Sequence, residues 1–249
     1  MVYAPPDLDS GLRDALAAVQ WPGDVLFAKV WGSHSHNTAL PTSDVDYLMI
    51  YASRTAAVLS LTPPPETIDG TKPDYQAHEV GKLCHLLIKG NPGIVEMLFT
   101  DRMYVGSPEW DALKEIAPTF INQQTLKQYL GYGNGQLHRL LNGSRLHTAK
   151  GEYNTKWAYH LIRLAHDAGR IARGIPPVVW KEGGELEELM AIRMGEYTPS
   201  QIETRFRQLE SEIDALKPWG IPETADKDAL NDWLLSVRAA RFSLAPPAC

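Results

Sequence analysis

Two carboxylates, Asp44 and Asp46, stand two residues apart in a segment that is otherwise apolar and β-prone: Val45, Tyr47, Leu48, Met49 and Ile50 surround them. Side chains alternate faces along a strand, so a strand over residues 44–51 aims both carboxylates to one side. Leu48 and Ile50 continue that face, and Val45, Tyr47 and Met49 line the other. Like charges this close repel each other unless something positive lies between them. Such a strand can serve as an edge where one Asp caps a turn and the other faces water. It can equally hold a hard divalent cation, for which carboxylates are the preferred ligands.

What precedes the pair favours the cation. Residues 25–31 are apolar and β-prone, and Gly32-Ser33 follow them, with Asp44 eleven residues after Ser33. Glycine permits close backbone approach, and Ser33 offers a hydroxyl and an N–H to a phosphate oxygen. A loop entering a helical turn aims further backbone donors at a polyphosphate. Thr38, Thr42 and Ser43 are additional donors. Two Mg²⁺ ions roughly 3.5–4 Å apart clamp the attacking and leaving oxygens in phosphoryl-type transfer, a chemistry that needs paired carboxylates.

Along the chain, the periodicity predicts a helix over 9–19, where Leu12, Leu16 and Val19 form one stripe. Strands are expected over 25–31, 44–51 and 74–79, with residues 32–43 as a loop or short helical turn. Residues 53–73 carry Pro63-Pro64-Pro65 and Gly70 and read as a surface excursion. Residues 80–89 have helical spacing, Gly90-Asn91-Pro92 breaks it, and 94–100 is a further apolar element. From about residue 119 long helical patterns take over: 124–141, 154–173, 184–194, 199–216 and 225–240. Ser200-Gln201-Ile202-Glu203, after Thr198-Pro199, carries a helix-start signal, and the tail from Arg241 through Pro247 is expected to fray. The fold class is an α/β N-terminal domain with a mixed sheet, residues 1–115, followed by an all-α helical domain, residues 116–249.

Lys156, His160 and Arg163 fall at i, i+4 and i+7, beside an apolar stripe of Trp157, Leu161, Leu164 and Ala168. A rigid face carrying Lys and Arg suits the β- and γ-phosphates of a nucleotide; the same pattern is also compatible with a solvated helix surface. Gln136 and Arg139 are candidates to support it, and Tyr132 and Tyr159 to stack on a base or fill a core. Gly131-x-Gly133-x-Gly135 lies inside a helical pattern and reads as a kink or junction. His34 and His36 sit two apart in a loop with no Cys beside them, a weak pattern for zinc. Glu96, in an apolar context, is expected to satisfy a buried partner such as Asn91 or a backbone donor.

The segment Val30-Trp31-Gly32-Ser33-His34-Ser35-His36-Asn37-Thr38-Ala39-Leu40-Pro41-Thr42-Ser43-Asp44-Val45-Asp46-Tyr47 resembles the signature of DNA polymerase β-like nucleotidyltransferases. More narrowly, it resembles the predicted-nucleotidyltransferase branch linked to RNA repair. That branch has Gly-Ser, then Thr-Ala-x-Pro-x-Ser-Asp-x-Asp, and later Gly-Asn-Pro followed by Glu. Here these are Thr38 to Asp46, Gly90-Asn91-Pro92 and Glu96, and Lys156, His160 and Arg163 resemble the branch's downstream basic helix. The one departure is Asn37 in place of Gly, and Asn tolerates left-handed backbone angles.

The resemblance implies transfer of a nucleoside monophosphate from an NTP to an acceptor hydroxyl, with release of pyrophosphate. It implies Mg²⁺, or Mn²⁺ in its place, on Asp44 and Asp46 and on a third acid. Asp74 and Glu79 compete for that third place, as metal ligand or general base. Asp74 shares a strand face with Gln76 and His78, whereas Glu79 lies opposite, at the start of the segment leading to Gly-Asn-Pro. Gly32, Ser33 and Ser43 would hold the triphosphate, assisted by Lys156, His160 and Arg163. The acceptor is an RNA end, a tRNA, a protein side chain or a small alcohol. A nucleotide-binding sensor that has lost catalysis and a purely structural scaffold are the rival readings.

Composition narrows the setting. A net charge of −6 argues against a general nucleic-acid coat. Residues 127–173 nevertheless hold eight Lys/Arg against two Asp/Glu, plus His138, His147, His160 and His166, a basic middle suited to a phosphate-rich ligand or to a solvated surface. No apolar run is long enough for a bilayer. The start, Met1-Val2-Tyr3-Ala4-Pro5-Pro6-Asp7, does not read as a signal peptide. With only Cys84 and Cys249, a disulfide framework is not expected and a cytoplasmic setting is.

Overall fold

The computed structural model describes residues 8–17, 19–100, 105–142, 153–217 and 220–242. Its first elements are α1 (Leu8–Ala17), β1 (Gly23–Trp31), α2 (Gly32–Ser35), β2 (Asp46–Ser53), α3 (Thr55–Val58), β3 (Thr67–Thr71) and β4 (Asp74–Glu79). The strands form one mixed sheet in the order β1-β2-β4-β3. β1 and β2 are antiparallel, β2 and β4 parallel, and β3 and β4 antiparallel. The sheet is mixed because the β2-to-β4 connection is a crossover, and β3 lies within it.

Two differences from the sequence reading stand out. The strand carrying the acids begins at Asp46, so Asp44 sits in the loop before it. Residues 53–73 contain a strand, β3, which the prolines and Gly70 conceal. As an edge strand it needs only one partner, and β4 supplies it from Thr71↔Asp74 to Thr67↔His78.

One face of the sheet carries Val30, Ala28, Tyr47, Met49, Tyr51, Tyr75 and Ala77, packed on Leu12 and Leu16 of α1. The other carries Phe27, Lys29 and Trp31 of β1, placed by register beside Asp46, Leu48 and Ile50. Here Phe27 stacks on Trp110 at 4.1 Å, from α6 (Pro108–Glu115). Ser107 caps α6 by accepting the Trp110 N–H, with Pro108 at the first helical position.

The chain divides into two compact units. The first comprises the described residues of Met1–Leu87, Thr100–Ile116 and Asp226–Cys249; the second, Ile88–Phe99 and Ala117–Ala225. This division differs from a single cut at residue 115. The helix α11 (Lys227–Ala240) belongs to the first unit, where Trp233 Nε1 donates to the Glu109 carbonyl. Arg241 pairs with Asp24 at 3.0 Å and Glu109 at 2.8 Å, so the expected fraying does not begin there. The remainder of that expected tail, residues 243–247, lies outside the described residues, as do Arg145, His147 and Lys150.

The second unit is helical. Between the units in sequence runs α4 (Val80–Lys89), and then come α5 (Pro92–Met97), α7 (Gln123–Asn142), α8 (Thr155–Ile171), α9 (Gly183–Arg193) and α10 (Pro199–Ala215). Asn91 caps α5, and the Thr198/Gln201 pair forms a capping box on α10, two residues ahead of the Ser200-Gln201-Ile202-Glu203 start read from the sequence. α7 runs unbroken through Gly131, Gly133 and Gly135. A Cβ at Gly133 would lie 2.9 Å from the Phe206 ring, so this glycine admits the α10 aromatic. Leu137, Leu161, Ile162, Leu189, Ile192, Ile202 and Phe206 build the core, each buried side chain contributing about 1.5–3 kcal/mol.

Beside that core lies a chain of buried charges. Asp167, fully buried, accepts from Lys181 Nζ at 2.9 and 3.0 Å, from Arg170 at 2.7 Å and from the Val178 N–H at 3.1 Å. Lys181, also fully buried, reaches Glu185 at 2.8 Å. Burial would raise the Glu185 carboxyl, but hydrogen bonds from Arg170 and Lys181 outweigh it and bring it from 4.5 down to about 2. Glu188 is likewise brought down to about 2 against burial, by His166 and Arg205. Such depressed acids stabilise the fold above their unfolded value, and that stability disappears as pH falls. Denaturant melts should therefore show stability lost from pH 4.5 toward 2. Lys181→Met, which removes two of the four hydrogen bonds on Asp167 and leaves Arg170 and the Val178 N–H, is expected to cost about 3 kcal/mol by urea unfolding.

Candidate metal centre

Register assembles the acidic cluster. In the parallel β2–β4 pair Asp46 lies opposite Asp74, so both side chains leave the same sheet face. Asp44, just before the strand, joins them. One carboxylate oxygen from each of Asp44, Asp46 and Asp74 lies within 4.8 Å of the others, with Asp46 half-buried and the other two exposed. Three carboxylates this close, open to solvent at one end, form a hard oxygen donor set that matches Mg²⁺ or Mn²⁺ and suits no soft metal.

The loop before β2 is built around this cluster. Gly32 has φ +63°, and a Cβ there would collide with Asp46 Oδ2, so glycine is required by both backbone and contact. Asn37 also takes a left-handed backbone, φ 61°, the conformation its place in the loop demanded. The Thr38 N–H donates to Ser33 O at 3.0 Å, and the Ser35 hydroxyl to Gly32 O at 2.9 Å. Ser43 Oγ accepts the Leu40 N–H at 2.9 Å, and its own N–H donates to Leu40 O at 2.9 Å, a tight turn that delivers the chain to Asp44. Ser33 is buried and Ser43 half-buried. His34 and His36 are buried supports: His34 Nε2 lies 3.5 Å from the Ser43 carbonyl, and His36 packs edgewise on Trp31.

Glu79 lies elsewhere. Five residues along β4 from Asp74, it faces the opposite way and is buried. It receives both guanidinium nitrogens of Arg238 at 2.6 and 2.7 Å, together with the Gly81 N–H at 2.7 Å and the Ser53 N–H at 3.2 Å. Glu79 thus fastens α11 to the ends of β2 and β4. Of the two candidates for third acid, only Asp74 stands with Asp44 and Asp46.

The α8 residues separate in burial. Lys156 is exposed, His160 half-buried and Arg163 2% exposed. Burial works against the Arg163 charge, yet Glu96 at 2.6 Å and nearby Asp167 hold it firmly protonated. The partner of Glu96 is therefore Arg163, joined by Tyr129, while the Asn91 side chain caps α5 instead. Burial, then Arg163, Lys156 and Arg193, pull His160 down to about 3, so its imidazole is neutral near pH 7. Tyr159 is core, with the Arg193 guanidinium 4.8 Å from its ring centre, and Tyr132 is exposed and takes a hydrogen bond from Asn91.

Sequence reasoning missed Lys29 and Trp31. Trp31 pairs with Asp46 across β1–β2, and buried Lys29 lies on the same face with Nζ 5.1 Å from the Trp31 ring. A single Lys inside the apolar run of β1 was the available signal.

The chain matches the family RlaP, described as an RNA repair pathway DNA polymerase beta family, over residues 11–236. It belongs to that family. The match spans the sheet, the acidic cluster and the helical unit alike, in agreement with an α/β polymerase β-like domain joined to helices. No curated protein matches the chain. Among the described residues no helix is long and apolar enough to cross a membrane.

Gly32→Ala should cost about 1–2 kcal/mol for the left-handed backbone alone and, by displacing Asp46, weaken divalent-ion binding. Urea unfolding and calorimetric titration with Mg²⁺ read the two effects. Unchanged ion affinity would contradict the packing of Gly32 against the acidic cluster.

Proposed function

We propose that the chain is a metal-dependent nucleotidyltransferase that moves a nucleoside monophosphate from an NTP to an acceptor hydroxyl on an RNA end, releasing pyrophosphate. The observation that carries this reading is the convergence of Asp44, Asp46 and Asp74 within 4.8 Å, in a chain of the RNA-repair polymerase β family. These three side chains would hold Mg²⁺. Bound there, a divalent pair supplies charge neutralisation at the transferring phosphate and a lowered pKa at the attacking hydroxyl.

The protein residues do the positioning. Gly32, Ser33 and Ser43 seat the triphosphate next to the carboxylates, where the glycine leaves backbone room. Asp74, at the exposed side of the cluster, accepts the proton of the acceptor hydroxyl. The new bond joins that oxygen to the α-phosphorus, and the bond to the pyrophosphate oxygen breaks. Lys156, an exposed cation on α8, is the helix residue best suited to phosphate contact. Arg163 serves the reading indirectly, by fixing α8 through Glu96, and neutral His160 offers a hydrogen bond without added charge. The rival, a nucleotide-binding protein without catalysis, drew its strength from an unassigned third acid, and the place of Asp74 in the cluster weakens that ground.

Purified protein incubated with α-labelled NTPs, Mg²⁺ and short RNAs or tRNA should give labelled RNA and pyrophosphate. Asp44→Asn and Asp46→Asn are each expected to lower the rate by about 10²–10³-fold or more, with melting temperature preserved. Full Mg²⁺-dependent turnover in the double variant would overturn the proposal.

A further inference from the structure

Within the second unit a cavity of about 280 Å³ opens between α8 and α10. Its wall carries His166, Arg170, Arg173 and Arg205 against one acid, Glu212, and Gly169 forms part of its floor. Arg170 and Arg173 come from the basic middle of the sequence. The arginines are held in place before any ligand arrives. Arg170 grips Glu185 and Asp167, and Arg205 forks onto Glu188 through Nε at 2.6 Å and Nη2 at 3.4 Å, with His166 on the same carboxylate at 2.7 Å.

Arg173 differs from the other two. It is exposed, and among the described residues its hydrogen bond runs from Nη1 to the Gly169 carbonyl at 2.6 Å, which leaves Nε and Nη2 for a ligand. Arg170 and Arg205 are engaged by their carboxylates, so the Nε and Nη2 edge of Arg173 is the fork suited to a phosphate group, whose oxygens accept paired N–H bonds. Glu212 accepts from Gln208 Nε2 at 2.9 Å through Oε1, and its Oε2 can accept from a ribose 2′-OH adjoining the phosphate. The volume is below that of a pocket that engulfs a drug-sized molecule and suits a phosphate with its sugar.

We infer that this cavity is a phosphate–ribose subsite for the RNA strand, with Arg173 as its contacting cation and Glu212 as its hydroxyl acceptor. The inference rests on the reading that RNA is the acceptor, and it adds a place where the strand is gripped apart from the carboxylates. The basic middle then has a use that the overall negative charge conceals.

The test measures affinity for a short phosphorylated RNA, the deoxy oligonucleotide of the same sequence and inorganic phosphate as competitor, on the full chain. Arg173→Gln, an exposed position with melting expected unchanged, should weaken RNA binding about tenfold and lower the salt slope by about one. Inorganic phosphate should compete with RNA in the wild type and lose that effect in the variant. Glu212→Ala should shrink the preference for RNA over DNA. RNA affinity equal to wild type in Arg173→Gln overturns the subsite, and so does equal wild-type affinity for RNA and DNA. The catalytic reading fails separately. Wild-type protein that binds RNA through Arg173 but transfers no nucleotide keeps the subsite and removes the enzyme. Nucleotide transfer to RNA with Arg173→Gln binding as wild type does the reverse.

Discussion

The parallel pairing of β2 with β4 sets the character of this protein. Its register puts Asp46 directly beside Asp74, and the turn through Ser43 brings Asp44 to the same point. Three carboxylates so close repel one another in the absence of a cation. The sheet accommodates the repulsion by keeping the cluster at its rim, half-open to water, while the opposite face is packed on α1. Gly32 completes the arrangement, since any side chain there would displace the Asp46 carboxylate.

The helical unit meets the opposite problem, charges buried or half-buried away from water. Glu96, Arg163, Asp167, Lys181, Glu185 and Arg170 form an alternating series in which each buried charge touches one of opposite sign. Burying charges is costly unless pairing and hydrogen bonding are nearly complete, and Asp167, with four hydrogen bonds from Lys181, Arg170 and the Val178 N–H, meets that demand. The network fixes the rotation of α8 and so decides which of its cations reach solvent. Lys156 does and Arg163 does not.

Much of the fold was legible from periodicity. The strand over 74–79 and the helix over 80–89 have the ends that the sequence pattern implied, and the ends of the long C-terminal helices differ by no more than two residues. What escaped was long-range. β3 is a strand because β4 offers it an edge, which no local pattern records. The return of α11 to the first unit depends on Arg238 meeting a carboxylate 159 residues earlier. The site shows the same division. Alternation placed Asp74 and Glu79 on opposite faces, but choosing between them required the β2–β4 register and the Arg238 partner. Lys156, His160 and Arg163 do share helical spacing. The partner of Arg163, 67 residues before it, lies beyond what spacing can show.

The carboxylate cluster lies within the stretch that matches the RNA repair pathway DNA polymerase beta family, residues 11–236. The most direct measurement is a crystal structure with Mg²⁺ and a non-hydrolysable NTP. It should place divalent ions on Asp44, Asp46 and Asp74 with the triphosphate against Gly32 and Ser33, and leave Glu79 on Arg238. Ions bound away from these three carboxylates, or Glu79 released from Arg238 to coordinate in place of Asp74, would contradict it.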